Sequence, residues 1–396
     1  MAKRLAIPSK ELALRVVGPR DSFFASRVQR LNINTDVPVT QVDELGNPNH
    51  AGTALDVPTI TLTFSAFDVS VKVFSVLTGT DAAAYPAAGV NIGELSEIDA
   101  IMYVKDALVS DYVKSAHAKR LQIRDFTFTY NVTGESTEDY TAIGSEKRWF
   151  KNDVVVDKFT TGTTSFALSE TPIQLANGNK LLTVILDGGY LTEVAAGPAT
   201  GEYSVSGTTL TTADTRTLQV LAVYHANPAG SLWSDILDAS IPSAIRGQDV
   251  AIKILANDIP RVQSVTINGN LNPQAVRELG NRSIVGYQKQ VPTVEGNITV
   301  LDTDTELLDL LLNGSISSGN TEFEIAATCA VSGIDLEIIL YDPCDTELAT
   351  PLKTVYIPVF RVTGDSYTIN VNDNAQQVFN FQSDTAECII YSGLKP

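Results

Sequence analysis

A chain of 396 residues with 28 Lys and Arg against 46 Asp and Glu, a formal charge of −18, has room for two or three domains. It is ill suited to gripping phosphate backbones, because such binding rests on clustered cations that release counterions. No apolar run approaches the ~20 residues of a membrane span, and MAKRLAIPSKELALRVVG lacks the unbroken apolar stretch of an export signal, so the expectation is a soluble, cytoplasmically made protein without a membrane partner.

The text of the chain repeats at a spacing of 234 positions: IPS from Ile7 returns at Ile241, RVQ from Arg27 at Arg261, ELGN from Glu44 at Glu278 and VPT from Val57 at Val291. Two like domains in one chain suit a protein that supplies two equivalent parts to a symmetric assembly. The surplus between them has no counterpart, which predicts three segments, 1–157, 158–232 and 233–396.

Alternation at period two, rich in Thr, Val, Ile, Phe and Tyr and broken by Gly, Asn, Asp and Pro, predicts a mainly β fold. After VPT, Ile60, Leu62, Phe64 and Ala66 point one way while Thr59, Thr61, Thr63 and Ser65 point the other. The second copy divides likewise, with Val294, Gly296, Ile298 and Val300 against Thr293, Glu295, Asn297 and Thr299. A short helix is expected next in each copy, over DVSVKVFSVLTG and over TELLDLLLNG, with Thr303 and Glu306 spaced as a capping box and Gly314 as the C-cap. GTDAAAYPAAGVNIGE reads as a surface loop. IDAIMYVKD and IDLEIILYD read as matching strands, after which Leu121, Ile123, Phe126 and Thr129 are expected to correspond to Val355, Ile357, Phe360 and Thr363. VTGDSYTINVND and QQVFNFQSD are two further strands, with VTGESTEDYTAIG and EKRWFKND as their first-copy equivalents. The middle segment, with short strands split by Asn-Gly, Gly-Gly and Ser-Gly, reads as a small β-sandwich-like module projecting from the main body.

Motifs of catalysis and metal binding are missing from the text. His50, His117 and His225 are isolated, without HExxH or zinc spacing, and read as surface or structural histidines. GxSxG, P-loop and GxGxxG patterns are lacking, and Asp302, Asp304 and Glu306 lack the rest of a calcium loop. Cys329, Cys344 and Cys388 read as buried apolar thiols, and Trp149 and Trp233 as apolar positions rather than carbohydrate platforms. The expectation is a non-enzyme without cofactor or metal.

The stretch RVQSVTINGNLNPQAVRELGNRSIVGYQKQVPTVEGNITV, and its first-copy outline RVQRLNINT, VDELGN and VPTITLTF, resembles the tail tube proteins of long-tailed bacteriophages and related viruses. The resemblance is strongest over about 50 residues of each copy and rests on order, spacing and the repeat. It implies two tandem tube-type β-sandwich or barrel domains, each with a short helix, plus the inserted module. It further implies a homotrimeric, pseudo-hexameric ring stacked into a hollow, non-contractile virion tail, assembled in the host cytoplasm. Tail terminator, tape measure and distal tail or baseplate proteins would be its partners. Under that resemblance Thr59, Thr61, Thr63, Ser65, Thr293, Glu295, Asn297 and Thr299 are candidates to line the lumen, through which DNA passes without specific binding. Glu44, Gly46, Asn47, Gly52, Glu278, Gly280, Asn281 and Gly286 are candidates for ring-stacking loops. The alternatives are a trimeric baseplate hub or tail-tip protein and, from a different class, a carbohydrate-binding β adhesin.

Overall fold

Strands dominate because the alternating segments can bury one face each only by stacking sheet on sheet. The computed structural model of the chain describes residues 12–45, 50–67, 71–79, 89–106, 111–151, 153–160, 163–213, 219–227, 245–281, 284–301, 305–314, 316, 322, 334–343, 351–369 and 374–396, and is mainly β, in several sheets. Its central element is an eight-stranded array made of β1 (Val28–Asp36), β2 (Thr59–Ala66), β3 (Asp111–Asn131), β4 (Thr137–Gly144), β5 (Val262–Asn270), β6 (Thr293–Leu301), β7 (Phe360–Thr368) and β8 (Gln376–Ser383). Every pairing is antiparallel, in the order β1-β2-β4-β3-β5-β6-β8-β7.

The order of the first four strands recurs in the last four, and so do their irregularities. β1 carries an extra residue, Gln29, against β2, and β5 carries Gln263 against β6 at the matching place. The repeated RVQ has a physical basis here. Arg27 and Arg261 take positive φ values of 52° and 64°, and the side-chain amides of Gln29 and Gln263 donate to the Arg27 and Arg261 carbonyls at 3.0 and 3.2 Å. The motif is a bulge that aims the strand.

A second bulge corrects the expected alignment of the later strands. β3 is bulged at Arg124 against β4 and β7 at Thr363 against β8, so Leu121 and Ile123 correspond to Phe360 and Val362, not to Val355 and Ile357. Phe126 thereby corresponds to Asp365 rather than Phe360. Residues repeating at period two offer several similar registers to the eye, and only the hydrogen-bonded ladder selects one. For the same reason VTGDSYT belongs to β7, whose counterpart is the second half of β3, while TEDYTAIG forms β4, the counterpart of QQVFNFQS in β8.

A second layer covers the array. In the first half it contains Leu12–Val17, Ser22–Phe24, Glu97–Asp106, the start of β3 and Glu146–Phe150. In the second half it contains Asn257–Asp258, Val250–Ile254, Leu336–Tyr341, Pro351–Ile357 and Ile389–Ser392, and Val90–Asn91 adds an edge strand to this sheet from the first half. Ile60, Leu62, Phe64, Phe128, Tyr140, Ile267, Ile298, Ile338 and Phe381 belong to one buried cluster between the layers. Both expected helices are present. α1 (Val71–Thr78) buries Val73, Phe74, Val76 and Leu77. α2 (Glu306–Asn313) ends on Gly314, whose φ of 72° lets its N–H reach the Leu310 carbonyl at 3.1 Å. Its N-cap is Thr305, without a side-chain cap bond; the expected capping residue Thr303 lies outside the described residues, as do Asp302, Cys329, Cys344, Trp233 and the paired IPS motifs.

The described residues between 153 and 226 form two four-stranded sheets, one around Asp153–Phe159 and Val220–Ala226, the other around Glu202–Ser206 and Thr209–Thr212. Val155, Phe166, Tyr203, Leu210 and Tyr224 fill the space between them. The other side of the first sheet packs Val154, Val156, Leu221 and Val223 on Ala13, Val17, Ile101 and Tyr103, on the far side of the second layer from the eight-stranded array. The Tyr103 hydroxyl donates to the Val154 carbonyl at 2.7 Å.

Candidate functional site

The polar residues singled out in two separate strands stand on one face of one sheet. Ile60, Leu62, Phe64, Val294 and Ile298 are buried on the other side, as the alternation requires. Register across the array puts Arg30, Ser65, Asp139, Thr127, Asn268, Glu295, Gln382 and Arg361 in a single row, each opposite the next. A neighbouring row runs Asn32, Thr63, Thr141, Asp125, Asn270, Thr293. Another runs Thr137, Thr129, Thr266, Asn297, Asn380. Thr59 and Thr61 face Asp36 and Asn34, and Thr299 faces Ser264.

The face is therefore built from hydroxyls and amides, with acidic groups at Asp36, Asp125, Asp139 and Glu295. Its cations come at strand ends and bulges: Arg124 is tied to Asp125 at 2.6 Å and Arg361 to Asp384 at 2.9 Å, while Arg30 follows the β1 bulge. Within the sheet Thr127 donates to the Asn268 side-chain oxygen at 3.0 Å.

Glu44 and Leu45 of the first ELGN segment, and all of the second, belong to matching β-hairpins. Val39–Val42 pairs with Gly52–Leu55, and Gln274–Val276 with Gly286–Gln288, at equivalent registers. Glu44 and Gly52 belong to the first hairpin, and Glu278, Gly280, Asn281 and Gly286 to the second; Gly46 and Asn47 lie outside the described residues. Leu45 and Leu279, at equivalent places in the two tips, are fully exposed, a feature the sequence reading passed over although both stand inside ELGN. The hairpins differ in what lies beneath them. The second leans on the first half of the chain, where the Ser145 hydroxyl accepts the Ile284 N–H at 3.1 Å, Arg277 reaches Asp56 at 3.1 Å, and Asn281, Gly286 and Tyr287 border a cleft with Glu97, Arg120 and Glu146. Burial, and then Glu97, push the Tyr287 hydroxyl up to about 12. In the first hairpin both strands are exposed throughout.

The two halves are joined in the core as well as along β3 and β5. Lys353 of the second half forms a fully buried ion pair with Glu138 of β4, and the Tyr140 hydroxyl donates to the same carboxylate at 2.7 Å. The Lys353 ammonium also lies 5.1 Å from the Phe128 ring centre. Cys388 is a buried free thiol there, as expected, pushed up to about 12 by burial, which outweighs a lowering from Lys353, while Glu138 adds a smaller rise.

Two of the histidines have acidic partners that the sequence did not reveal. His117 Nε2 lies 2.8 Å from Asp99 Oδ2 in full burial, and His50 Nδ1 lies 2.6 Å from Asp43. Asp99 also accepts the Arg120 N–H at 2.9 Å and the Tyr190 hydroxyl at 3.2 Å, so it ties the middle segment to the first half. Burial alone would raise the Asp99 carboxyl; the bond to His117, its charge and the Arg120 amide outweigh that and hold it below the usual range. Trp149, expected to be an apolar position, is half exposed and lies between Lys114 and Lys147, at 4.9 and 5.9 Å. No His, Cys, Asp and Glu cluster suited to a metal occurs among the described residues, and among them no helix is long and apolar enough to cross a membrane.

No protein-family model matches the chain, and no curated protein matches it either.

Proposed function

We propose that the chain is the major subunit of a viral tail tube, a structural virion protein whose two tandem tube domains make three-chain, pseudo-hexameric rings that stack into a hollow conduit for DNA. The observation that carries the reading is the eight-stranded array, in which four strands and their bulges recur in the same order, joined edge to edge at β3 and β5, with β1 and β7 as its end strands among the described residues. A joint that links one half to the next within a chain can link one chain to the next, and a heterologous contact of that kind closes into a ring. The polar face suits a passage for DNA: neutral hydroxyls and amides with a few carboxylates give phosphates little to hold, whereas lysines would retard them. Thr59, Thr61, Thr63, Ser65, Thr293, Glu295, Asn297 and Thr299 would line that lumen. The exposed hairpins, with Leu45 and Leu279 at their tips, would engage the next ring, and the middle segment, seated on the opposite side, would decorate the outside.

Negative-stain electron microscopy of the purified, concentrated protein tests the reading. Hollow tubes or stacked rings with three outer projections are expected. Discrete rings that never stack would favour a hub, and monomers at every concentration would return the chain to the adhesin class.

A further inference from the structure

The buried pair between the halves holds the reactants of an amide bond. Lys353, in the strand Pro351–Ile357, donates from Nζ to Glu138 Oε1, and both side chains are wholly buried. The walls are aromatic: the Phe74 and Phe128 ring centres lie 5.6 and 5.1 Å from Nζ. The Tyr140 hydroxyl donates to the other oxygen, Oε2, at 2.7 Å, and its ring is held by stacking on Phe64, 5.1 Å between centres, and by the edge of Phe128. An amine nitrogen, a carboxyl group and a donor on the second oxygen meet in a dry lining.

The duplication supplies a control. The ladders make Lys114 the counterpart of Lys353, opposite Val104 where Lys353 stands opposite Leu340, and Gln377 the counterpart of Glu138. Lys114 is only partly buried and lies against Trp149 at 4.9 Å, while the Gln377 amide donates to Asp365 at 3.0 Å. The fold thus accepts the lysine without burial and an amide in place of the carboxylate. Amine and carboxylate meet, sealed from water, where the halves join.

We propose that Lys353 and Glu138 condense into an isopeptide bond, a covalent tie between the two halves that the chain makes by itself. A proton passes from the ammonium to Oε1, leaving a neutral amine beside a neutral acid. Nζ then adds to Cδ, and the negative charge that grows on Oε2 is met by the Tyr140 hydroxyl. Oε1 takes a second proton from Nζ and leaves as water as the Cδ–Oε1 bond breaks. Three ammonium protons become one amide N–H and one water, with no oxidant, reductant or co-reactant. In water, hydration of the two ions opposes this reaction; inside the protein that hydration has already been lost, and the amide removes both buried charges. Holding the groups together replaces a concentration of about 10⁵ M or more.

The inference does not rest on the tube reading, and the mass of the full chain tests it. Intact-mass spectrometry of freshly purified and of stored, denatured protein should show a species lighter than the sequence by one water, its share rising with storage. Digestion should give a branched peptide joining the Glu138 and Lys353 segments. Lys353→Arg keeps the positive charge without a condensing amine and should carry the full mass. Tyr140→Phe keeps the ring and removes the donor, and should slow the loss of water roughly a hundredfold. Circular dichroism of both variants should match the parent. A parent chain at full mass in fresh and stored samples overturns the proposal, as does a deficit that persists in Lys353→Arg.

Discussion

The joint within the chain and the two open edges share one geometry and differ in chemistry. At the joint, Phe126, Phe128 and Tyr130 are buried against Gly269, Ile267 and Val265, and a buried ion pair stands behind them. At the edges, Asp365, Tyr367 and Ile369 face water, as do Asn32, Asn34 and Thr35. A permanent contact is free to be large, aromatic and dry, since it forms once, with the fold. A contact that waits for a second chain needs enough polarity to keep the single chain soluble, at some cost in strength.

The sharpest break of the comparison is at the ion pair. Lys353→Met leaves the Glu138 carboxylate buried without its cation, and, against parent chains not yet condensed, about 3–5 kcal/mol of stability should be lost, read as a lower urea midpoint. The paired change Glu138→Leu with Lys353→Met should recover most of it, because two apolar groups replace two desolvated charges. If the single and paired variants unfold alike, the pair does not lock the halves.

Acid should act next. Asp99 has a lowered folded-state pKa, so it stabilises the fold fully above the ordinary carboxylate value, and that contribution drains as pH falls below about 4 toward the folded value. Asp99→Asn should cost about 1–3 kcal/mol at neutral pH, through the bonds to His117, Arg120 and Tyr190, and should flatten the acid limb of the melting temperature. An unchanged acid limb would place the loss elsewhere.

The third break sets matching positions side by side. A Cβ at Gly269 would overlap the Phe126 ring, so Gly269→Ala should cost about 1–3 kcal/mol. Thr35→Ala, at the corresponding place on the open edge, should alter monomer stability by less than about 0.5 kcal/mol while weakening assembly. Equal effects on the monomer would mean that β1 is not an open edge in solution.

The mainly β fold, both helices and the two-sided strands were legible because periodicity and turn residues are local signals. Gly314 was readable as a C-cap for the same reason. The register of β7 was not, since a single bulged residue, Thr363, decides it and nothing in the local text marks that residue. The His117–Asp99 pair was hidden by a different obstacle: its members lie in separate strands, and only the ladder between Glu97–Asp106 and β3 brings them together. Of the candidate surface, eight polar residues in two strands were visible; that Asp139, Thr127, Asn268 and Gln382 complete the same row required strand order. Leu45 and Leu279 stood in plain text, but apolar residues in a turn are read as core until exposure is known.

The smallest effect on the single chain is expected at those two leucines. Each is exposed at a hairpin tip, so Leu45→Ser and Leu279→Ser remove no buried area and should leave stability within about 0.5 kcal/mol of the parent. Under the tube reading, the same changes remove apolar anchors that only the next ring covers, and should shorten tubes while sparing rings. Separating those readouts distinguishes the two axes of assembly: contacts along the sheet edges close a ring, and contacts from the tips extend it. Tubes of unchanged length in the double variant would assign stacking to other residues and leave the two exposed leucines without a structural reason.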